Sequence, residues 1–440
     1  MRLPEKPPIE IILQPFQRFA HQEAAGGVVL FLATVTALVW ANSPWSEGYF
    51  AYLQGNLDVG AGPFRTSHSI HHWINDALMA IFFFVMGMEI KRELLVGELR
   101  NPRTAALPIA AACGGVMFPA LIYFAVNHGL PTVRGWAIPT ATDIAFSLGV
   151  LALLGSRVPV GLKVFLAALA IVDDLIAVII IAVFYSAGLS VPALISTVVW
   201  YAAAWALNIL GVRRPIAYAL VGIGLWVSVL NSGIHATIAG VLLASAIPAR
   251  SRLDSTTFVA DAQESLHRFA DSAEPGSRLI RSGDALEALH LLERRIEQVQ
   301  APLLRFEHAL HSWVSFGIMP LFALANAGVR LVGEQQLSIL QPAAIGTALG
   351  LLLGKPSGIM LASWLATRAG LGALPENVDW RQLHGVSWLV GIGFTMALFV
   401  AELSFPGHGL LDSVKIAIVG ASVLAGSVGT FLLLRARASH

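Results

Sequence analysis

Apolar positions in this chain fall into long blocks separated by short polar linkers. Twelve blocks follow one another: Ala24–Ala41; a second starting near Trp73, running through Ala77–Met88 and ending in Glu89-Ile90-Lys91-Arg92-Glu93; Thr104–Asn127; Gly135–Ser156; Val164–Tyr185; Val191–Leu210; Pro215–Leu230; Gly233–Ile247; Ser312–Val329; Leu337–Thr367; Gly385–Ala401; and Ile416–Leu434. A helix rising about 1.5 Å per residue needs roughly 20 residues to cross a bilayer core. Most of the blocks meet that length. The pattern therefore predicts an all-α membrane protein of about twelve transmembrane helices, embedded in a lipid bilayer. Two blocks are interrupted. The fourth carries Pro139 and Thr140-Ala141-Thr142-Asp143 near its middle, and the eleventh is broken by Gly391-Ile392-Gly393. Interrupted spans in comparable places of the two halves point to an inverted repeat with a site near the membrane midplane.

Three pieces follow along the chain. Residues 1–247 hold the first eight segments, 248–311 form a polar connection, and 312–440 hold the last four. Within the connection Ala285, Leu289, Leu292, Ile296, Val299 and Leu303 recur at helical spacing. They predict one amphipathic helix over Asp284–Leu303, either lying on the bundle or membrane surface or serving a regulatory partner. In the first outward loop, Gly55–Arg65 is read as a hairpin.

Composition sharpens this picture. Charged residues make up only 12% of the 440, against about 25% in soluble domains. The net charge of +1 gives no sign of a nucleic-acid partner. Cys113 is the single cysteine, so neither a disulfide framework nor a cysteine zinc site is available. Met1–Phe19 is polar and proline-bearing and lacks the order of a signal peptide. Counted over alternate linkers, 23 of the 28 Lys and Arg lie on one side of the membrane. Arg65, Arg134, Arg330 and Lys415 lie on the other, and Lys355 lies within a span. The positive side is cytoplasmic, which puts both termini there.

The candidate chemistry is the charge left inside the blocks. Asp173 and Asp174 sit side by side in the uncharged run from Val164 to Tyr185. One charge at bilayer depth costs about 2.5–3.5 kcal/mol on insertion scales. Two adjacent carboxylates also repel, so they titrate as a unit. Neighbouring positions on a helix differ by about 100° in direction, so the two face different partners. A structural pair fixed by a buried base is one use of them; a site that trades protons for a cation is the other. Asp143 with Thr142, beside the carbonyl that Pro139 frees, offers hard oxygen ligands for a small hard cation. The alternative for Asp143 is a cap at a helix break. Lys355, in Gly354-Lys355-Pro356, needs a carboxylate partner at that depth, or else snorkels to the interface.

These features also exclude. An aspartyl protease needs two carboxylates facing each other across two helices, which adjacent residues on one helix cannot do. A cation channel has no need of Lys355, and a scaffold has no need of the buried acids. No Gly-x4-Gly-Lys-Ser/Thr loop for a nucleotide-driven pump is present. An enzyme is not expected, nor is a cofactor.

Several motifs together carry a resemblance. Ala141-Thr142-Asp143-Ile144-Ala145-Phe146, Val172-Asp173-Asp174, Gly354-Lys355-Pro356, Asn75-Asp76, Glu89-Ile90-Lys91-Arg92-Glu93-Leu94-Leu95, Ser232-Gly233-Ile234-His235-Ala236-Thr237 and Asn326-Ala327-Gly328-Val329 occur in order on successive segments. In this the chain resembles the NhaA-type sodium/proton antiporter family, over nearly its whole length apart from much of Pro248–His311. The resemblance implies an electrogenic antiporter of a bacterial inner membrane that brings protons in and expels Na⁺ or Li⁺. It further implies Na⁺ at Asp173 and Asp174, with Asp174 a cation ligand and Asp173 paired to Lys355. Asp143 and Thr142 would stand near the cation. Glu89, Arg92, Glu93 and Glu307 match a cytoplasmic funnel linked to pH response, and His235 an outward-side histidine implicated in it. A homodimer joined through the loop near Gly48–Arg65 is also implied.

Overall fold

A computed structural model describes residues 23–59, 66–186, 188–251, 255–272, 283–330, 340–407 and 409–436. The polar stretch Met1–Phe19 lies outside the described residues, as does most of the expected hairpin Gly55–Arg65.

Among the described residues, eight helices are long and apolar enough to cross a membrane: Ile70–Val96, Pro102–Asn127, Pro131–Leu153, Val160–Phe184, Val191–Ile209, Pro302–Asn326, Pro342–Arg368 and Leu410–Arg435. Two further pairs bend at short breaks. Ala25–Ala41 turns into Ser46–Gln54 by 111°, and Trp380–Val390 into Phe394–Ser404 by 43°. Each pair taken as one span brings the number to ten. The other two expected segments are Pro215–Leu230, of 16 residues, and Ile238–Ala246, of only 9. At 1.5 Å per residue the second covers about half of a bilayer core. The turn through Ser232 and His235 takes up the rest of that segment. Lys91 closes its far end, where Nζ donates to Ser245 O at 2.6 Å and Ile247 O at 2.5 Å. A cation on the last carbonyls of a helix satisfies them and opposes the helix dipole.

Several boundaries differ from the sequence reading: the twelfth segment begins at Leu410 and not Ile416, and three further differences lie at the connections. The hairpin pairs Asn56–Val59 with Thr66–Ser69, antiparallel, so its second strand begins after Arg65. The connecting piece holds two amphipathic helices, not one: Ser255–Ser272 packs against Gly283–Val299, with Arg295 Nε 3.3 Å from Asp261 Oδ2. The second ends at Val299, and Leu303 belongs to the next helix. Pro302 has no N–H to continue the first helix, and it starts the next from its N1 position after an extended Ala301. That next helix runs Pro302–Asn326, so the ninth segment begins ten residues before the expected Ser312. Its first three turns carry Arg305, Glu307, His308 and His311, which apolarity alone does not read as part of a span.

Prolines also shape two spans from inside. Pro320 and Pro356 cannot donate to the carbonyl four residues back, and their rings press on it. Each follows a wider π turn that contains that carbonyl: Val314–Ile318 before Pro320, and Gly350–Gly354 before Pro356. The second π turn ends directly at Lys355.

The third and tenth segments run antiparallel in close contact. Asn127 donates to Pro342 O at 3.1 Å, Gly346 faces Tyr123, Gly354 faces Pro119, Gly358 faces Gly114, and Gly115 faces Ile359. As one number falls the other rises, which is the opposed direction an inverted repeat requires. Gly346, Gly350, Gly354 and Gly358 recur every four residues and put a smooth stripe on the contact face, the small-residue packing used between membrane helices. A Cβ on Gly354 would stand 2.7 Å from Pro119 Cα, and one on Gly358 would meet the backbone of Gly114. Gly358→Ala is therefore expected to cost about 1–3 kcal/mol through overpacking, read as a lower melting temperature in detergent. Gly420→Ala, which meets nothing within 4 Å, is the silent control.

Candidate functional site

The two interrupted spans cross each other, and their loose backbone ends satisfy one another. The fourth span is a 3₁₀ helix, Pro131–Thr140, followed by extended residues and then the helix Ile144–Leu153. The eleventh is Trp380–Val390 followed by Phe394–Ser404. Asp143 N donates to Ile392 O at 2.7 Å, Thr142 Oγ1 to Val390 O at 3.1 Å, and Ser147 Oγ to Leu389 O at 2.9 Å. Three carbonyls from the end of one half-helix thus find donors on the other span. Inside lipid each orphan would cost several kcal/mol.

Asp143 caps two helices at once. Its Oδ1 accepts from Phe146 N at 3.0 Å, and its Oδ2 accepts from Thr395 N at 3.1 Å and from the Thr395 hydroxyl. Two helix N-termini aim partial positive charge at one buried carboxylate. The opposite charge is answered by Lys355, whose Nζ donates to Thr140 O at the end of the 3₁₀ half-helix. Both oxygens of Asp143, and the Thr142 hydroxyl, are engaged in holding the crossing, which is cap geometry; each carboxylate oxygen keeps a second lone pair that an ion could use.

Asp173 and Asp174 lie in Val160–Phe184, both 2% exposed. Lys355 is fully buried and does not snorkel; its Nζ lies 3.0 Å from Asp173 Oδ2. Asp173 is thereby committed. Asp174 differs: its Oδ2 is buried with no hydrogen-bond partner among the described residues, as is the second oxygen of Asp173. Buried polar atoms are nearly always satisfied, so two unpartnered carboxylate oxygens on neighbouring residues mark a place that binds something. Carboxylate oxygens suit a small hard cation or protons.

A second charged group sits at the other end of the second span. Arg92 lies between three acids: Nε is 3.1 Å from Glu307 Oε1, Nη1 is 3.2 Å from Glu93 Oε1, and Nη2 is 3.9 Å from Glu89 Oε1. A cavity of about 710 Å³ opens beside it, lined by Arg92, Gln300, Leu304, Glu307, His308 and His311. The four residues read as a funnel are thus gathered into one place. His235 is not with them. It sits near the opposite end of the same span, Nε2 3.5 Å from Asp76 Oδ1, and His72 Nε2 is 3.0 Å from the other Asp76 oxygen.

The family model described as Na+/H+ antiporter 1 matches residues 17–433. The chain belongs to that family. Among its relatives, the Na(+)/H(+) antiporter NhaA of Koribacter versatilis (strain Ellin345) is 49% identical over 428 residues, 97% of this chain and 93% of the relative. The protein of the same name from Oleidesulfovibrio alaskensis is 50% identical over 428 residues, 97% and 95% of the two chains. That from Wolinella succinogenes is 44% identical over 415 residues, 94% and 92%. Membership fits the many apolar helices of a multi-pass membrane protein.

Sequence reasoning left several residues of this family member without a role. Thr395 is seen only as part of the break; its position one residue into a half-helix, with a hydroxyl, is the signal that it serves a cap. Asp76 is quoted without a partner. Glu402 and Lys415 go unpaired, though opposite charges at the facing ends of consecutive segments announce a pair; they lie 2.7 Å apart.

Proposed function

We propose that this chain exchanges Na⁺ or Li⁺ for protons across a bacterial inner membrane by alternating access, the cation and the protons competing for Asp173 and Asp174. The observation that carries the reading is the contrast within the pair. Asp173 has a base, Lys355, while Asp174 has a free carboxylate oxygen and none. A site at bilayer depth cannot stay ionised and empty without penalty. Protons fill it when they are plentiful, and a cation fills it when they are not. Rocking of one part of the bundle against the other then shows the filled site to the opposite face. Two carboxylates accept two protons but gather around one monovalent ion, so a full cycle moves net charge and the exchange is electrogenic.

The other residues take supporting parts in this reading. Asp143 and Thr142 hold the crossing of the interrupted spans beside the site and keep its backbone charge balanced. Glu89, Arg92, Glu93 and Glu307 at the cytoplasmic mouth, with His235 on the outward side, set the pH at which exchange switches on. Both termini are cytoplasmic, and the loop near Gly48–Arg65 joins two copies. A channel reading gains nothing from the geometry, because Lys355 competes with any passing cation.

Competition fixes the sign of the pH dependence. Raising the pH removes protons from the pair, so apparent Na⁺ affinity rises, by up to about tenfold per pH unit for each proton displaced. The measurement is half-saturating Na⁺ for exchange in proteoliposomes across a pH series. A flat curve demands separate proton and cation sites and ends this reading. A curve that rises in the native chain and does not move in Glu89→Gln or Glu307→Gln keeps competition but removes the funnel as the sensor.

A further inference from the structure

We propose that His71 and Glu402 form the latch of an outward gate, which must part before the aspartate pair can face the outer side. The inference rests on the alternating-access reading above. His71 stands at the start of the second span, and Arg92, at the cytoplasmic mouth, stands 21 residues further along the same helix, about 30 Å away at 1.5 Å per residue. His71 is thus at the outer end. Its Nε2 lies 3.6 Å from Glu402 Oε1 and 3.0 Å from Asn326 Oδ1. The same nitrogen lies 3.5 Å from Asn75 Nδ2, so His71 joins Asn75, Asn326 and Glu402 in one polar cluster. Asn326 Nδ2 in turn donates to Asn75 Oδ1 at 2.8 Å, tying the ninth span to the second. Glu402 is held from its own side by Lys415 at 2.7 Å, tying the eleventh span to the twelfth. Among the described residues, His71–Glu402 is a polar contact that joins these two pairs of spans, an ion pair only in the protonated form of His71. Other charges near it are His72 and Asp76 on the second span, and Arg330 and Asp412, which interact with the Lys415 end.

Below the latch the same helix carries a plug. Thr395, Phe399 and Glu402 follow at intervals of four and three residues and so share one face. Thr395 holds the crossing through Asp143. Phe399, one turn further out, packs on Phe83 at 5.7 Å, Phe322 at 6.2 Å and His235 at 5.3 Å between centroids. Rings from the second and ninth spans and from the turn before the eighth thus close on one phenylalanine between the crossing and the outer surface. Glu402, a turn above, is where the polar cluster of His71, Asn75 and Asn326 meets the eleventh span. A wedge of buried rings excludes water and ions, and the polar latch gives the closed state a defined second position to move from.

Two measurements test this. His71→Leu keeps the Glu402–Lys415 pair and removes the latch. In vesicles of known orientation it should lower half-saturating Na⁺ on the outer face about fivefold, while the cytoplasmic face changes little as long as the outward-open form is the minor one. Equal values on both faces for variant and native protein overturn the latch. The second measurement joins the two positions in a Cys113→Ala, His71→Cys, Glu402→Cys protein with a short cleavable bis-thiosulfonate. Exchange should stop on cross-linking and return on cleavage. Unchanged coupled exchange in the cross-linked protein, or failure of the reagent to span the pair, overturns the latch and leaves antiport standing. Na⁺ flux without opposite proton flux before the reagent is added overturns the antiport reading instead. Should the triple variant be idle from the start, His71→Leu alone decides.

Discussion

Asp174→Asn is expected to reduce Na⁺-driven proton exchange in proteoliposomes to the background of empty vesicles. The substitution changes almost no volume, and the helix Val160–Phe184 needs nothing from the side chain for its own backbone. What is lost is chemical. An amide neither takes up and releases a proton nor offers a charged oxygen to a cation, and one of its two polar ends becomes a donor. The buried oxygen that has no partner in the native chain is the atom replaced or neutralised. Asp173→Asn is expected to cripple exchange by a different route, leaving the Lys355 ammonium, 3.0 Å away, without its counter-charge. The two variants should therefore separate in stability: Asp174→Asn folds as the native chain does, and Asp173→Asn melts lower. Near-normal exchange by Asp174→Asn would remove the pair from the transport site.

The spans were legible because the bilayer imposes a single rule, about 20 apolar residues with every backbone group satisfied. Where that rule is met locally, as in Val160–Phe184 or Val191–Ile209, block and helix agree to within a few residues. It fails in two kinds of place. Pro302–Trp313 is helical but carries charge, because its polar face lines the cavity beside Arg92 rather than lipid; hydropathy starts the span at Ser312 where geometry starts it at Pro302. Ile238–Ala246 is short because the chain before it turns through Ser232 and His235, and backbone there is held by neighbouring protein. The interrupted spans could be located from Pro139 and from Gly391-Ile392-Gly393, but not the manner of their crossing. That depends on which hydroxyl and which N–H reach across, and Ser147, Thr142 and Thr395 sit more than 240 residues from their partners. The glycine stripe from Gly346 to Gly358 was readable all along as a four-residue period. Its partner face on the third segment, only Gly114 and Gly115 beside prolines, has no period to betray it.

Charge around the site balances in a way that gives each ionised residue more than one duty. Asp143 answers two helix N-termini, and Lys355 answers both a carboxylate and a helix C-terminus. Arg92 answers three acids at the far end of the second span. On the exchange reading proposed above, a cation arriving at Asp173 and Asp174 alters a set of balances and not one pair, which is how a small ion would shift packed helices between two arrangements. On that reading the differential interaction needed for such a shift arises at the pair itself, where Lys355 and the ion share the Asp173 carboxylate through different oxygens.

Lys355→Ala is expected to cost about 3–5 kcal/mol of stability, the usual toll for breaking a buried ion pair by removing one partner. Two groups are orphaned at once: the Asp173 carboxylate, and the Thr140 carbonyl that ends the 3₁₀ half-helix. Neither can turn to water, since Thr140 is 3% exposed and Asp173 2%. Thermal unfolding in detergent should show a melting temperature well below that of the native chain, with proton coupling altered in whatever folded protein remains. Lys355→Ala with Asp173→Ala removes both charges, and that double variant should recover part of the loss while the Thr140 carbonyl stays unpaired. The native chain, Lys355→Ala, Asp173→Ala and the double variant make a cycle whose interaction energy isolates the pair. Recovery close to zero would mean that the half-helix carbonyl, and not Asp173, is the main partner of Lys355. An unchanged melting curve for the single variant would mean that the ammonium reaches water and neutralises nothing, and the division of labour between Asp173 and Asp174 would go with it.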